Sequence, residues 1–505
     1  KIILVISFLI NYTLNLTTIK LNKSLANYHT EYLLNLKFQQ ISMYSHSLKE
    51  KETEEYNENQ SYLRQFSSFL EEKDISLHQQ VLAQKRLATY YGDINVGFGR
   101  DNDPSKTQTF KMLFDTGSCE FWIPSDVCTT SRCVSHTRYR QSQSFNPYKN
   151  SKMAIQYLSG KVEGIMATES IGLGDLIIPH QVIGVAREVN IPLLDEVIWD
   201  GILGLAYPNK NLRKQNIKPL FDNIISQNLL KNRGEANQFA YYLGHDIGSI
   251  TFGGADMKFK NDINEEFKWA PITEKNYWTI TLLDIKKYSP FKKNDPDMVE
   301  DALCPNGCKS IVDTGTYLIY GPSDQLQTFL SDMTIKNCED KYKLPNLGFM
   351  FKGFTKEGKD TAFELILTPD DYVLEFEVDG KNDCVVGIGS DNEDSGWTLG
   401  QVFLKAYYTV FDRENETIGF VKSNPNPHEL AKKPSSIQNL HSQNGLFLNN
   451  NAAKMNENNN IGTSINSMGN PLGNTGGNIW DSQPQTLPNG PIKAEESTFL
   501  GNYFK

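Results

Sequence analysis

The chain has no long lysine or arginine tract, and its 50 basic residues are outnumbered by 60 acidic ones, for a net charge of −10. A phosphate backbone needs a basic face, so a nucleic-acid partner is excluded. No uninterrupted apolar stretch approaches the roughly 20 residues that carry a helix across a bilayer. The run "IILVISFLI" at residues 2–10, behind Lys1, has the length of a signal-peptide core, and "SLA" at residues 24–26 offers small residues for cleavage. Residues 1–26 are therefore read as a signal peptide or anchor. Anchoring, with its membrane contact, follows if the apolar stretch is carried on through Leu14 and Leu16, and a buried strand is the third reading. A signal peptide or anchor places the protein in the secretory pathway, in a vesicle, in a vacuole or secreted.

Cysteine is scarce, seven in 505 residues, with no CxxC pair and no accompanying histidine cluster. That pattern excludes a zinc site of the usual spacing, and neither a metal nor another cofactor is expected. Six cysteines fall into local pairs: Cys128 with Cys133, Cys304 with Cys308, and Cys338 with Cys384. Behind a signal sequence such an even framework reads as disulfides formed in an oxidising compartment. Cys119 is left over, either a reactive thiol beside a site or a buried structural one.

What the chain does have is Asp-Thr-Gly twice, in matching settings: "FKMLFDTGSCEFWIPS" around Asp115 and "KSIVDTGTYLIYGPS" around Asp313. A short apolar run closed by a glycine turn reads as a buried strand. Two copies imply two lobes that each deliver one carboxylate. Acid-base hydrolysis of an amide needs such a pair, since one group takes a proton from water while the other gives one to the carbonyl. Two unrelated strand-turn units are the plain alternative.

With 39% hydrophobic and 11% aromatic residues, the chain is long enough for two or three domains with a large core. Residues 27–86 are polar and read as a pro-segment; "KEKETEEYNENQ" is too charged to fold alone, and Tyr62, Leu63, Phe66, Phe69 and Leu70 recur at helical spacing. The dibasic Lys85 and Arg86 mark a boundary before the body. From 87 to 423, short apolar runs such as "MAIQYL", "DGILGLAY", "GSITFGG" and "YYTVFD" alternate with Gly, Asp and Asn turns, the pattern of an all-β protein. "GILGLA" at residues 201–206 and "WTLGQVF" at residues 397–403 read as one strand-crossing device repeated in a lobe at 87–245 and a lobe at 246–423. Residues 424–505 shift to Asn, Gly, Ser, Pro and Gln, a low-complexity tail read as disordered.

Between about 87 and 423 the chain resembles the pepsin-like aspartic proteases. The match rests on the two Asp-Thr-Gly turns, "YYGDINVG" at the first strand, "WDGILGLAYP" where the first lobe closes and "LGQVFLKAYYTVFDRENETIGF" where the second closes. The resemblance implies a bilobal fold with the cleft between related lobes, and an endopeptidase made as a zymogen that acts as a monomer on protein or peptide substrates. It implies catalysis by Asp115 and Asp313, sharing one proton because adjacent like charges cannot both ionise cheaply, a behaviour for which aspartic-protease dyads are the standard illustration. Thr116, Gly117 and Ser118 in one turn and Thr314, Gly315 and Thr316 in the other are the implied support. Ser118 and Thr316 would bond the carboxylates, and Gly117 and Gly315 would supply backbone freedom. Tyr157, Ser159 and Gly160 match a flap, with Tyr157 and Trp122 sharing a hydrogen bond; a core tyrosine is the alternative. The three cysteine pairs match three disulfides of the family.

Departures are Leu158 near the flap tip, Gln401 where many relatives carry Asp, and a longer acidic loop "PFKKNDPDMVEDALCP" ahead of Asp313. A basic residue such as Lys73, Lys85 or Arg86 is expected to pair with the dyad until maturation. Abundant Asn and Lys, the polar leader and the tail look more narrowly like plasmepsins of apicomplexan parasites. That likeness splits between digestive enzymes of an acidic compartment and maturases of secreted proteins, and the leader and tail favour a maturase. A peptide-binding protein that kept the fold and lost the chemistry is the reading from another class; both intact turns weigh against it.

Overall fold

The apolar runs that close on Asp-Thr-Gly are strands that end buried: the last four residues of Gln108–Asp115 are buried, and so is Val312 at the end of Cys308–Val312. The structure, a computed structural model, describes residues 16–25, 29–48, 88–99, 104–157, 160–245, 247–288, 303–355, 358–391 and 396–427. The run at 2–10, the expected helix around Tyr62, the residues Lys73, Lys85 and Arg86, most of the acidic loop and the tail from 428 lie outside the described residues.

The strands of the first part are β1 (Thr17–Leu25), β2 (Ala88–Val96), β3 (Gln108–Asp115), β4 (Phe121–Pro124), β5 (Asn146–Tyr157), β6 (Gly160–Leu173), β7 (Leu176–Asn190), β8 (Gly201–Gly204), β9 (Gln238–Leu243) and β10 (Ile247–Phe252). Those of the second are β11 (Lys268–Pro271), β12 (Thr279–Tyr288), β13 (Cys308–Val312), β14 (Ile319–Pro322), β15 (Asn346–Phe354), β16 (Asp360–Leu367), β17 (Val373–Val378), β18 (Lys381–Val386), β19 (Ile388–Asp391), β20 (Trp397–Leu399), β21 (Tyr407–Asp412) and β22 (Thr417–Lys422). Among the described residues they form a 13-stranded sheet in the order β11-β22-β21-β9-β10-β1-β2-β3-β8-β4-β7-β6-β5, a seven-stranded sheet β16-β15-β12-β13-β20-β14-β19, and the hairpin β17-β18.

The internal repeat is explicit in the pairing. β3 runs parallel to β8, which is antiparallel to β4, which is parallel to β7. In the second lobe β13 runs parallel to β20, which is antiparallel to β14, which is parallel to β19. The chain is thus all-β and bilobal, with each Asp-Thr-Gly turn leaving its sheet at the equivalent place. The lobes meet where β9 pairs with β21. Phe239 and Phe411 stack there at 4.7 Å, with Trp278 edge-on to both.

Two features of the first part were not legible as such. Thr17–Leu25, placed by the sequence reading at the end of a leader, is β1, inserted between β10 and β2. Its Thr17, Ile19 and Leu21 are buried while Thr18 and Lys20 face out, a strand alternation hidden in a polar stretch. Helix α1 (His29–Leu48) follows. Residues 32–37 are buried without interruption, so this part of α1 is sunk into the body and shows no amphipathic stripe.

Disulfides join Cys128 to Cys133, Cys304 to Cys308 and Cys338 to Cys384, and Cys119 is buried. Close to the first of them, His136 lies 3.5 Å from the Asp200 carboxylate and 2.8 Å from Leu194 O. Burial alone would lower the His136 pKa, but the hydrogen bonds to Asp200 and Leu194 and the charges of Asp200 and Asp195 outweigh it and raise the value above the ordinary 6.5. A raised value means stabilisation that is complete below about pH 6.5 and fades as pH climbs through the folded-state value. His136→Gln should therefore lower the denaturation midpoint at about pH 5 and have much less effect at about pH 8, as chemical unfolding at both values would show.

Candidate active site

β3 ends on Asp115, and β13 ends one residue before Asp313, so both carboxylates emerge from buried strands. They are 0% and 2% exposed. Their local bonding is the same. Gly117 N donates to Asp115 Oδ1 at 2.9 Å and Ser118 Oγ to Asp115 Oδ2 at 2.7 Å. Gly315 N donates to Asp313 Oδ1 at 2.8 Å and Thr316 Oγ1 to Asp313 Oδ2 at 2.6 Å. Donors on both oxygens of each group fix its plane.

The two turns are bolted to each other. Thr116 N donates to Thr314 Oγ1 at 3.0 Å and Thr314 N to Thr116 Oγ1 at 2.9 Å. Each hydroxyl then donates across to the opposite strand, Thr116 to Val312 O at 2.8 Å and Thr314 to Phe114 O at 2.9 Å. The carboxylates are consequently face to face. A Cβ placed on Gly117 would lie 2.5 Å from Asp313 Cγ, and one on Gly315 would lie 2.8 Å from Asp115 Cγ. Neither glycine is among the positive-φ residues, so lack of space, and not the backbone freedom expected from the sequence, excludes a side chain here.

The strand-crossing segments clamp the turns from behind. Leu205 N donates to Asp115 O and Ala206 N to Ser118 O; Gln401 N donates to Thr316 O and Val402 N to Tyr317 O. Gln401 is fully buried, and its Nε2 donates to Thr314 O at 3.1 Å, so a neutral amide stands behind the second turn. Tyr241, on β9, was invisible to motif reading because its role comes from the sheet. Its hydroxyl donates to Phe114 O at 3.2 Å, and burial raises its pKa, keeping it a donor.

Tyr157 closes β5, pairs with Gly160 at the start of β6, and accepts a hydrogen bond from Trp122 Nε1 at 2.9 Å. Gly160 has φ of +149°, and a Cβ there would collide with Asn190 O. Leu158 and Ser159 lie outside the described residues. Cys119, 3% exposed, packs in an apolar cluster with Ala206, Leu212 and Ile217.

Helix α1 reaches the second lobe. Tyr32 and Tyr320 share a hydroxyl hydrogen bond at 3.1 Å, and burial pushes the Tyr32 phenol up to about 12. Lys37 pairs with the Asp383 carboxylate and donates to Lys336 O at 2.9 Å, while Gln40 Nε2 donates to Val386 O and Ile388 O. The buried ammonium that the structure describes in the N-terminal segment is thus paired on β18. No group of three metal-ligating side chains occurs among the described residues, nor does any helix long and apolar enough to cross a membrane.

Two facing carboxylates with matched donors can hold a water between them and exchange protons with it. Comparison with known proteins agrees with this chemistry. A family model described as eukaryotic aspartyl protease matches residues 89–423. The chain is 42% identical over 378 residues to plasmepsin VII of Plasmodium falciparum (isolate NF54), covering 70% of this chain and 82% of that protein. To plasmepsin VII of Plasmodium berghei (strain Anka) it is 39% identical over 381 residues, 71% and 80% of the two chains. To cathepsin D of Gallus gallus it is 32% identical over 369 residues, 68% and 83%.

Proposed function

This chain belongs to the eukaryotic aspartyl protease family and is an aspartic endopeptidase acting on protein or peptide substrates; from that premise we propose that Asp115 and Asp313 are its catalytic pair. The observation that carries the assignment is the placement of each turn glycine against the opposite carboxylate, with the same donor set on both sides.

The pair holds one proton. The ionised member takes a proton from the bridging water as its oxygen attacks the scissile carbonyl carbon, and the protonated member gives its proton to the carbonyl oxygen. The tetrahedral diol then collapses: the carboxyl that took the water's proton gives it to the amide nitrogen, the other carboxylate takes back a proton from one hydroxyl, and the C–N bond breaks, which restores the pair with one proton. No covalent enzyme intermediate forms. Ser118 and Thr316 hold the outer oxygens, Thr116 and Thr314 keep the carboxylates facing, and the Tyr157 hairpin, steadied by Trp122, covers the substrate.

The lobes are assigned to 87–245 and 246–423, following a pro-segment and preceding a tail from 424. We assign the enzyme to the secretory pathway as a zymogen that matures other secreted proteins and works as a monomer. Digestion of bulk protein in an acidic compartment is the outcome against which that role is tested.

The test is cleavage of a quenched-fluorescence peptide library from about pH 3.5 to 7.5, with and without a statine-type inhibitor, on protein that retains Thr17–Leu25. Inhibitor-sensitive cleavage on the acidic side is expected. A narrow set of cut peptides supports a maturase, and a broad set supports digestion. No cleavage by disulfide-bonded, matured protein would leave a peptide-binding protein as the reading.

A further inference from the structure

We propose that the pocket between the helix Leu220–Ser226 and the turn joining β21 to β22 is a second binding site, built for a hydrogen phosphate group. Its lining includes neither Asp115 nor Asp313, so the site is independent of the catalytic pair.

The pocket encloses about 510 Å³. Tyr207, Asp222 and Arg413 form its floor, and the exposed Arg213, Lys218 and Lys275 stand at its rim. The Arg413 guanidinium lies 3.8 Å from the centre of the Tyr207 ring, and its Nη2 donates to Asp222 Oδ1. Arginine and a carboxylate commonly pair through two parallel bonds, and here one of the two is made. Arg413 Nη1, Asp222 Oδ2 and Tyr207 Oη are each buried without a hydrogen-bond partner among the described residues. Tyr207 is 5% exposed and the Arg413 side chain 10%. Three unsatisfied polar atoms on one floor cost free energy that a single ligand recovers.

Two of the three atoms are donors: an arginine keeps its protons, and burial pushes the Tyr207 phenol up to about 12. The third is a carboxylate acceptor. Around them Arg213, Lys218, Lys275 and Arg413 face Asp222 and Glu416, a surplus of two positive charges (4 − 2) that selects an anion. Lys275 pairs with Glu416, and Arg213 Nη2 donates to Lys275 O. The matching ligand is therefore an anion with several acceptor oxygens and one hydrogen to give. Hydrogen phosphate has both, oxygens for Tyr207 and Arg413 and a P–O–H for Asp222. Sulfate has the same shape and acceptors but carries no hydrogen at neutral pH, so it would set an oxygen against the Asp222 carboxylate.

The experiment is calorimetric titration of the full chain with inorganic phosphate at about pH 7 and low salt, with sulfate at equal ionic strength as the matched control. Phosphate is expected to bind at one site, at least about 10-fold more tightly than sulfate. Tyr207→Phe keeps the ring under Arg413 and deletes only the hydroxyl, and it should weaken phosphate about 5- to 20-fold. Asp222→Asn keeps an oxygen for Arg413 and offers an NH₂ in place of the acceptor, so it should weaken phosphate, admit sulfate and abolish the preference. Chemical unfolding of both variants separates lost binding from lost fold. Blocked phosphoserine in the same titration distinguishes a site for phosphate monoesters, which binds it, from one for the free ion, which does not; either result with phosphate bound supports the proposal. Equal affinity for phosphate and sulfate in the unsubstituted protein overturns it. So does unchanged phosphate affinity in a folded Tyr207→Phe variant, or no detectable binding at about 10 mM phosphate.

Discussion

Asp115→Asn and Asp313→Asn are each expected to lower kcat for peptide cleavage by on the order of 10³- to 10⁴-fold, with the unfolding midpoint almost unchanged. The reason for the first half is chemical. One carboxylate must accept a proton and its partner must donate one in the same step, and a carboxamide does neither at any pH in the working range. The reason for the second half lies in the bonding. Asn keeps an acceptor for the turn glycine N–H, and the hydroxyl of Ser118 or Thr316 can rotate to accept from the new NH₂. Because the pair already shares one proton, replacing one member introduces no new charge repulsion, and stability does not fall for electrostatic reasons. Single-turnover cleavage beside chemical denaturation of each variant checks both halves. A variant that retains more than about a tenth of wild-type kcat would remove that residue from the acid-base pair.

Gly117→Ala and Gly315→Ala are expected to cost on the order of 10²-fold in kcat/KM and about 1–3 kcal/mol in stability. The added methyl at 117 would sit 2.5 Å from Asp313 Cγ, and at 315 it would sit 2.8 Å from Asp115 Cγ, inside any tolerated contact. Something must move, and the carboxylate is the neighbour. The other groups around it are backbone bolted through Thr116 and Thr314. The loss should appear mainly in kcat, since the displaced group is the one that exchanges protons. Full activity in either variant would mean that the turns do not face each other as described.

The chemistry was legible in the sequence because it is local. An Asp-Thr-Gly behind an apolar run specifies a strand, a turn and a carboxylate within a few residues, and its duplication announces two lobes. Pairing of β3 with β8 and of β13 with β20 was foreshadowed by "GILGLA" and "WTLGQVF" because strands buried on both faces need unbroken apolar runs. The N-terminal segment was not legible in the same way. Among the described side chains of β1 only Ile19 and Leu21 are buried and apolar, and the consecutive burial of residues 32–37 breaks the periodicity by which a surface helix is recognised. Tyr241 belongs to the site only because β9 passes beneath the turn that follows Phe114.

By itself the sequence determined which carboxylates, hydroxyls and turn glycines are offered to the proposed reaction, since each motif supplies them within its own span. Only the tertiary structure decided that the two motifs face each other, that threonines from opposite lobes hold them there, that the turn glycines answer to the opposing carboxylate, and that β1 belongs to the sheet. Those are contacts between residues far apart in the chain, fixed by sheet register and close packing, and no local pattern of residue types records them.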